Sequence, residues 1–339
     1  MKQKSKKVYV LGSDSIGWSI DKDRQYTIKA IKDIDGYEVV DNIFKADIIY
    51  AVWWNQLLSY KFRIFNLFFK KRVIACITND LAHQQKEIKS ILSLADIFVY
   101  ANSFQKDQLF ELGVKEEQLF FNPFYVDETI FKKLNFSKYE LAKKFNIKYE
   151  TIKDKLLIGS FQRDSLGTDL MKPKWQKNPD LLLEILNRLD KDKYLLLLAG
   201  PRRHYIIKKC KEFNIPYFFI GNEDYIDKNQ DDLLVNALNI EDMPYLYNLI
   251  DLYIVSSKSE GGPKAVPEAV LCQTNIISTD VGFAKDLLDN KAIYKDSYEA
   301  VKLINNVIDN NIEFNHKVHQ FYSFDNFKNR VENILKAIE

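Results

Sequence analysis

Short apolar runs alternate along the chain with longer mixed segments. Runs without a polar residue at every second position suit strands covered on both faces, and their spacing by helix-length segments predicts βαβ units around parallel sheets. The first half predicts strands at 7–13, 37–40, 47–53, 72–78 and 95–102; the second at 156–161, 194–199, 217–221, 252–256 and 275–279. The series restarts after Asn135 with N-F-S-K-Y-E-L-A-K-K-F-N-I, which is charged, helical in pattern and free of a Pro/Gly-rich tether. This organisation predicts an α/β protein of two Rossmann-like doubly wound domains facing each other across a hinged cleft: residues 1–135, residues 136–315, and a closing segment 316–339. In the last segment Phe327, Val331, Ile334, Leu335 and Ile338 have amphipathic-helix spacing, and the helix is expected to pack back toward the first domain.

Composition narrows the class. The chain has 339 residues, 46% of them hydrophobic, enough for two cores. Lysine and arginine number 49 against 47 acidic residues, so no overall field favours nucleic acid. Cys76, Cys210 and Cys272 lie far apart in or beside apolar segments, as reduced thiols do in a cytoplasmic protein. The M-K-Q-K-S-K-K start runs directly into an apolar strand, too short a lead for a signal peptide, and no apolar run reaches membrane-spanning length. The expectation is a cytoplasmic protein.

Candidate chemistry follows the run Leu252–Val255, where the chain reads S-S-K-S-E-G-G-P-K-A-V-P-E-A-V. Gly261 and Gly262 remove side-chain bulk, and Pro263 suits a helix start whose N–H groups face an anion. Glu260 and Glu268, on either side, are not phosphate ligands. They suit hydroxyl groups, and a nucleotide sugar offers hydroxyls at both ends of its diphosphate.

This stretch resembles the signature of family-4 (glycosyl transferases group 1) retaining glycosyltransferases of the GT-B fold, through E-G-G-P (260–263), E-A (268–269) and I-I-S-T-D-V-G (276–282). A-D-I-F-V-Y-A-N-S (95–103) and N-P-F-Y-V-D-E-T-I-F (122–131) are similar to the family's end of the first domain. L-L-I-G-S-F-Q-R (156–163) with P-K-W-Q-K-N-P-D (173–180) is similar to its start of the second. The resemblance implies that Arg163 and Lys177 hold the donor diphosphate and stabilise it as it leaves. Lys172 and Lys174 are rivals for the second role. Glu260 would contact the transferred sugar and Glu268 the ribose, with N–H groups around Gly261, Gly262 and Ala265 aiding the phosphate site.

The family's loop after the first strand corresponds to Leu11–Asp21, with Gly12 and Gly17, and would close over the donor; a tight turn with Trp18 packed inside is the other reading. Relatives often carry a histidine in the first domain near I-A-C-I-T-N-D-L-A-H (74–83). Here Asn79-Asp80 stands at that place and His83 is displaced, so Asn79, Asp80 and His83 are candidates to line the site without an assigned role. Arg202 and Arg203 would reach phosphate, and His204 reads as a loop residue. His316 and His319 lack partners for a metal, and D-K-D at 21–23 and 190–192 reads as turns.

The segment Leu58–Arg72 joins aromatic and basic residues. It reads either as a surface for peripheral contact with an anionic membrane or, the favoured reading, as a crossover helix with most of its aromatics packed on the sheet.

Together these readings predict a metal-independent transferase with no cofactor. It would move a hexose-type sugar from a nucleoside diphosphate to a hydroxyl of a glycan or lipid-linked acceptor in surface polysaccharide synthesis. The alternatives are an inactive module of the same fold that binds glycans or a partner protein, and a nucleotide-sugar epimerase or phosphorylase.

Overall fold

A computed structural model describes residues 5–13, 19–310, 318 and 322–338. The chain divides into two compact units, Met1–Asp127 with Gln320–Glu339, and Glu128–His319.

The first unit runs β1 (Lys6–Leu11), α1 (Ser19–Lys32), β2 (Tyr37–Val39), β3 (Ile48–Ala51), α2 (Tyr60–Phe69), β4 (Arg72–Cys76), α3 (Gln85–Lys89), β5 (Ile97–Tyr100), α4 (Ser103–Glu111) and β6 (Leu119–Phe121). Its strands form one parallel sheet in the order β2-β1-β3-β4-β5-β6. Every residue of β3 is buried, which is why that strand shows no polar alternation. One face of the sheet is covered by α1 together with the closing helix α13 (Phe324–Ala337). Phe327, Val331, Ile334, Leu335 and Ile338, the stripe legible in the sequence, pack there among Val8, Val10, Ile31 and Ile74. Ser323 caps α13 by accepting from Asn326 N at 3.2 Å.

The second unit runs α5 (Lys138–Lys144), β7 (Leu156–Ser160), α6 (Pro179–Arg188), β8 (Tyr194–Ala199), α7 (His204–Phe213), β9 (Tyr217–Ile220), α8 (Glu223–Asp227), α9 (Met243–Leu249), β10 (Leu252–Val255), α10 (Ala265–Leu271), β11 (Asn275–Thr279), α11 (Ala284–Leu287), β12 (Ile293–Tyr294) and α12 (Ser297–Asn310). Its sheet is parallel in the order β12-β11-β10-β7-β8-β9. The helical pattern at 135–147 forms α5, closed by a capping box in which Ser137 Oγ accepts from Glu140 N and Glu140 accepts from Ser137 N at 2.8 Å. Pro179 opens α6, where its missing N–H costs nothing.

Ten predicted strands form, with ends one or two residues shorter for most; β6 and β12 were not foreseen. Both are edge strands of three and two residues, too short to leave a hydrophobic run of their own. Burial pushes the thiols of Cys76, Cys210 and Cys272 each up to about 12, so all three are inert at neutral pH. Among the described residues no helix is long and apolar enough to cross a membrane.

Candidate functional site

In each sheet the strand order turns back once. In the second unit that point lies between β7 and β10, which pair directly through Leu252 with Ile158 and Tyr253 with Gly159. Ligands of doubly wound sheets lie outside the carboxyl ends of the strands at such a point. The two segments that leave it are residues 161–177 after β7 and 256–264 after β10, and they carry most of the candidate residues.

The geometry there is tied together by backbone. Lys258 N donates to the Gln176 carbonyl at 2.8 Å, and Ser256 Oγ donates to the Lys177 carbonyl at 3.1 Å. Phe161 N donates to Tyr253 Oη at 3.2 Å. Gly159 lets Ile250 approach closely: a Cβ there would lie 2.4 Å from Ile250 Cδ1 and displace that side chain. Lys177 Nζ forms a close ion pair with Glu260 Oε1, and Ser257 Oγ donates to the same oxygen at 2.7 Å. Both charged side chains are largely but incompletely covered.

Lys174 is half-buried, and its ammonium is pushed down to about 8, first by loss of water and then by the positive charges of Lys177 and Arg163, with Glu260 acting in the opposite sense. Lys174 thus lies within reach of the charges of Arg163, Lys177, Glu260 and Arg202, and Lys177 and Glu260 are in direct contact. Lys172 is exposed and 3.6 Å from Asp169. Of the three lysines, Lys174 and Lys177 lie beside Glu260 and Lys172 does not.

Gly261 and Gly262 follow Glu260 directly. Gly282, the end of the second motif segment, has φ +52°, and a Cβ on it would lie 2.9 Å from Gly262 Cα and from Pro263 Cδ. The two motif segments therefore meet backbone to backbone, and only glycine allows that approach. α10 begins at Ala265, not at Pro263, and has seven residues, so its dipole adds little. Glu268, one turn in, accepts from Tyr247 Oη at 2.8 Å. Burial raises its pKa, with the Tyr247 hydrogen bond and Lys264 opposing that.

Two expectations are corrected. Arg203 cannot reach a phosphate: its side chain is fully buried, with Nε 2.9 Å from Asp164 Oδ2 and Nη2 donating to Ser160 Oγ at 3.0 Å. His204 is no loop residue but the first residue of α7, buried, with Nε2 2.9 Å from the Gln230 carbonyl. Arg202 is engaged by Asp231, to which Nη2 donates at 2.8 Å. Asp164, next to Arg163, also accepts from Ile206 N at 3.2 Å, and its own carbonyl accepts from Lys174 N at 2.6 Å. Burial pushes its carboxyl up to about 6 while Arg203 pulls it down. Asp164 and Ser257 were not singled out in the sequence. Ser257 follows β10 directly, a position that could have drawn notice; Asp164 has no such signal, since its buried partner lies 39 residues on in the chain.

In the first unit Gly12 follows β1 with φ +132°, where a Cβ would lie 2.6 Å from Val52 Cγ2. Asn79 accepts from Thr78 Oγ1 and donates to Gln84 Oε1, each at 2.9 Å. Asp80 accepts from Ala82 N at 3.0 Å and from Gln108 Nε2 at 2.8 Å, so both residues shape their own turn. His83 is exposed at the end of that turn. Gly17, Trp18, His316 and His319 lie outside the described residues. No cluster of three or more metal-ligating side chains occurs among the described residues.

Comparison with known proteins places this site in context. Residues 172–322 match the family model described as Glycosyl transferases group 1, which agrees with the resemblance read in the sequence. Comparison with curated protein sequences gives no match. Among solved structures the chain is similar to Anabaena HepE in complex with UDP and glucose, at TM-score 0.74 and 14% identity over 98% of this chain and 99% of that one. It is also similar to sucrose-phosphate synthase from Thermosynechococcus elongatus (TM-score 0.65, 14% identity, 99% and 96% covered). A third is a glycosyltransferase from Rickettsia africae (TM-score 0.61, 13% identity, 99% and 96% covered). The fold is GT-B.

Proposed function

We propose that the chain is a glycosyltransferase that takes a sugar from a nucleoside-diphosphate donor and passes it to a hydroxyl acceptor. The observation that carries this reading is the Lys177–Glu260 pair, with Lys174 within reach of both and of Arg163, at the turning point of the second sheet. The family match over 172–322 supports the transferase class. The HepE structure holding UDP and glucose supports a nucleotide-sugar donor.

The chemistry follows from the charges. A departing diphosphate gains negative charge as the glycosidic bond breaks, and fixed cations that meet that charge lower the barrier. A diphosphate carries more charge than the single carboxylate that Lys177 faces, so it competes for Lys177. Glu260, still held by Ser257, is then left to accept hydrogen bonds from sugar hydroxyls. Lys174 adds a third positive charge on the same side. Glu268, held by Tyr247, suits the ribose hydroxyls. We read the reaction as retaining: the diphosphate leaves and the acceptor hydroxyl enters on the same face, giving its proton to a phosphate oxygen, with no protein nucleophile and no metal. The acceptor is read as a glycan or lipid-linked glycan of surface polysaccharide synthesis, with the protein acting in the cytoplasm.

The test is a donor screen of the purified protein with UDP-, GDP-, ADP- and dTDP-sugars in the absence of added metal, read by thermal shift and by release of free nucleoside diphosphate. One donor should stabilise the protein and be slowly hydrolysed, and Arg163→Ala should abolish both effects. No response to any donor would sink the transferase reading and favour an inactive binding module.

A further inference from the structure

The crossover helix α2 departs from the expectation that most of its aromatics pack on the sheet. Phe62 is buried and Phe65 half-buried, but Tyr60 is 78% exposed, Leu67 71%, Phe68 75% and Phe69 47%. The exposure has a period. At about 100° per residue, Tyr60, Ile64, Leu67 and Phe68 fall within an arc of about 100°, while Phe62 and Phe69 point to the opposite side. The helix thus carries a second apolar stripe, turned to solvent, in addition to the one that packs on the core. Phe44, 58% exposed, extends the apolar surface: its ring meets those of Phe65 and Phe69 edge-on at 5.3 and 5.2 Å.

Charge in the sequence around α2 has one sign, although Arg72 is paired with Asp96 at 2.7 Å. Lys61, Arg63, Lys70, Lys71 and Arg72 fall between residues 48 and 79, a stretch with no aspartate or glutamate, in a chain whose totals nearly balance. Lys61 and Lys70 are exposed at the two ends of α2. Lys70 caps the helix in the left-handed conformation at φ 44°, and Lys71 Nζ donates to the Phe44 carbonyl at 3.5 Å. Arg63 is turned inward, donating to Ser90 Oγ at 2.7 Å. A soluble partner surface would need carboxylates opposite these lysines and apolar rings opposite Leu67 and Phe68 in a fixed register. A bilayer with acidic headgroups supplies both without any register, the acyl chains meeting the stripe and the phosphates meeting the lysines.

We propose that the outer face of α2, with Phe44, is a docking surface for an anionic lipid bilayer, entered by Tyr60, Ile64, Leu67 and Phe68 and steered by Lys61 and Lys70. The proposal stands independently of the transfer chemistry.

The test is sedimentation of the full chain with vesicles of phosphatidylcholine, with and without phosphatidylglycerol. The protein should sediment with the anionic vesicles, remain in solution with the neutral ones, and be released by added salt. Leu67→Ser with Phe68→Ser should lower binding at least about tenfold, and Lys61→Glu with Lys70→Glu should do so by a similar factor. These side chains are exposed, so both variants should keep the parent melting temperature and donor-induced thermal shift. Failure to sediment with either vesicle overturns the proposal, as does equal binding by the variants. A dimer abolished by Leu67→Ser with Phe68→Ser, without vesicle binding, would assign the face to a second copy of the chain instead.

Discussion

Two ion pairs lie beyond the carboxyl ends of the second sheet's strands, and they differ in how they meet water. Asp164 and Arg203 are sealed: both are almost fully covered, Ser160 holds Arg203, the Ile206 N–H holds Asp164, and the pair ties the chain after β7 to the start of α7. Lys177 and Glu260 keep part of their surface open, and their companions are cations in excess of the carboxylate. Charges of the same kind serve different ends accordingly. A sealed pair has no ligand to receive and can only hold the chain, whereas a half-open pair with surplus positive charge can exchange its partner for an anion.

Breaking the sealed pair should show the largest effect on stability. Asp164→Ala leaves a buried guanidinium without its carboxylate, and should cost about 3–5 kcal/mol, read as a large drop in melting temperature. A loss below about 1 kcal/mol would mean that water reaches Arg203 and that the pair is not sealed. Glu260→Gln cuts the other way. It removes one charge from a site that retains solvent contact, so melting should change little, while donor turnover falls about a hundredfold and donor affinity much less. An unchanged rate would remove Glu260 from the reaction; a collapse in stability would make the two pairs alike.

The two pairs were also unequally legible in the sequence. Glu260, Gly261, Gly262 and Pro263 stand together after an apolar strand, and glycine and proline leave a local mark because their backbone limits are local. Most strands were legible for a similar reason: buried parallel strands such as β3 and β10 are continuous apolar runs. Asp164 and Arg203 leave no such mark, since a buried pair is defined by what the fold brings over it. For the same reason Arg203 reads in sequence as a free cation beside Arg202, and α2 reads as a packed crossover helix. Apolar content alone does not say which of its two stripes faces the sheet. The edge strands β6 and β12 were missed because their pairing, not their composition, makes them strands.

The smallest expected effect tests whether the surplus charge around the half-open pair is functional. Lys174 has its folded pKa pushed down to about 8 by burial and by Lys177 and Arg163. Because the folded state disfavours the charged form, Lys174 weighs against stability below about pH 8, and that cost eases as the pH rises toward the value of a free lysine. Donor binding runs in the opposite direction. The ammonium that attracts a diphosphate is present below pH 8 and is lost above it, so donor affinity should weaken as the pH passes through about 8, by no more than about tenfold per pH unit for a single proton. Lys174→Arg keeps its charge throughout this range and should flatten the profile. Calorimetric titration of the donor at several pH values reads both curves. If the wild-type profile is already flat, or the arginine variant keeps the slope, Lys174 contributes nothing to the anion site, and the surplus charge that sets the half-open pair apart reduces to Arg163 alone.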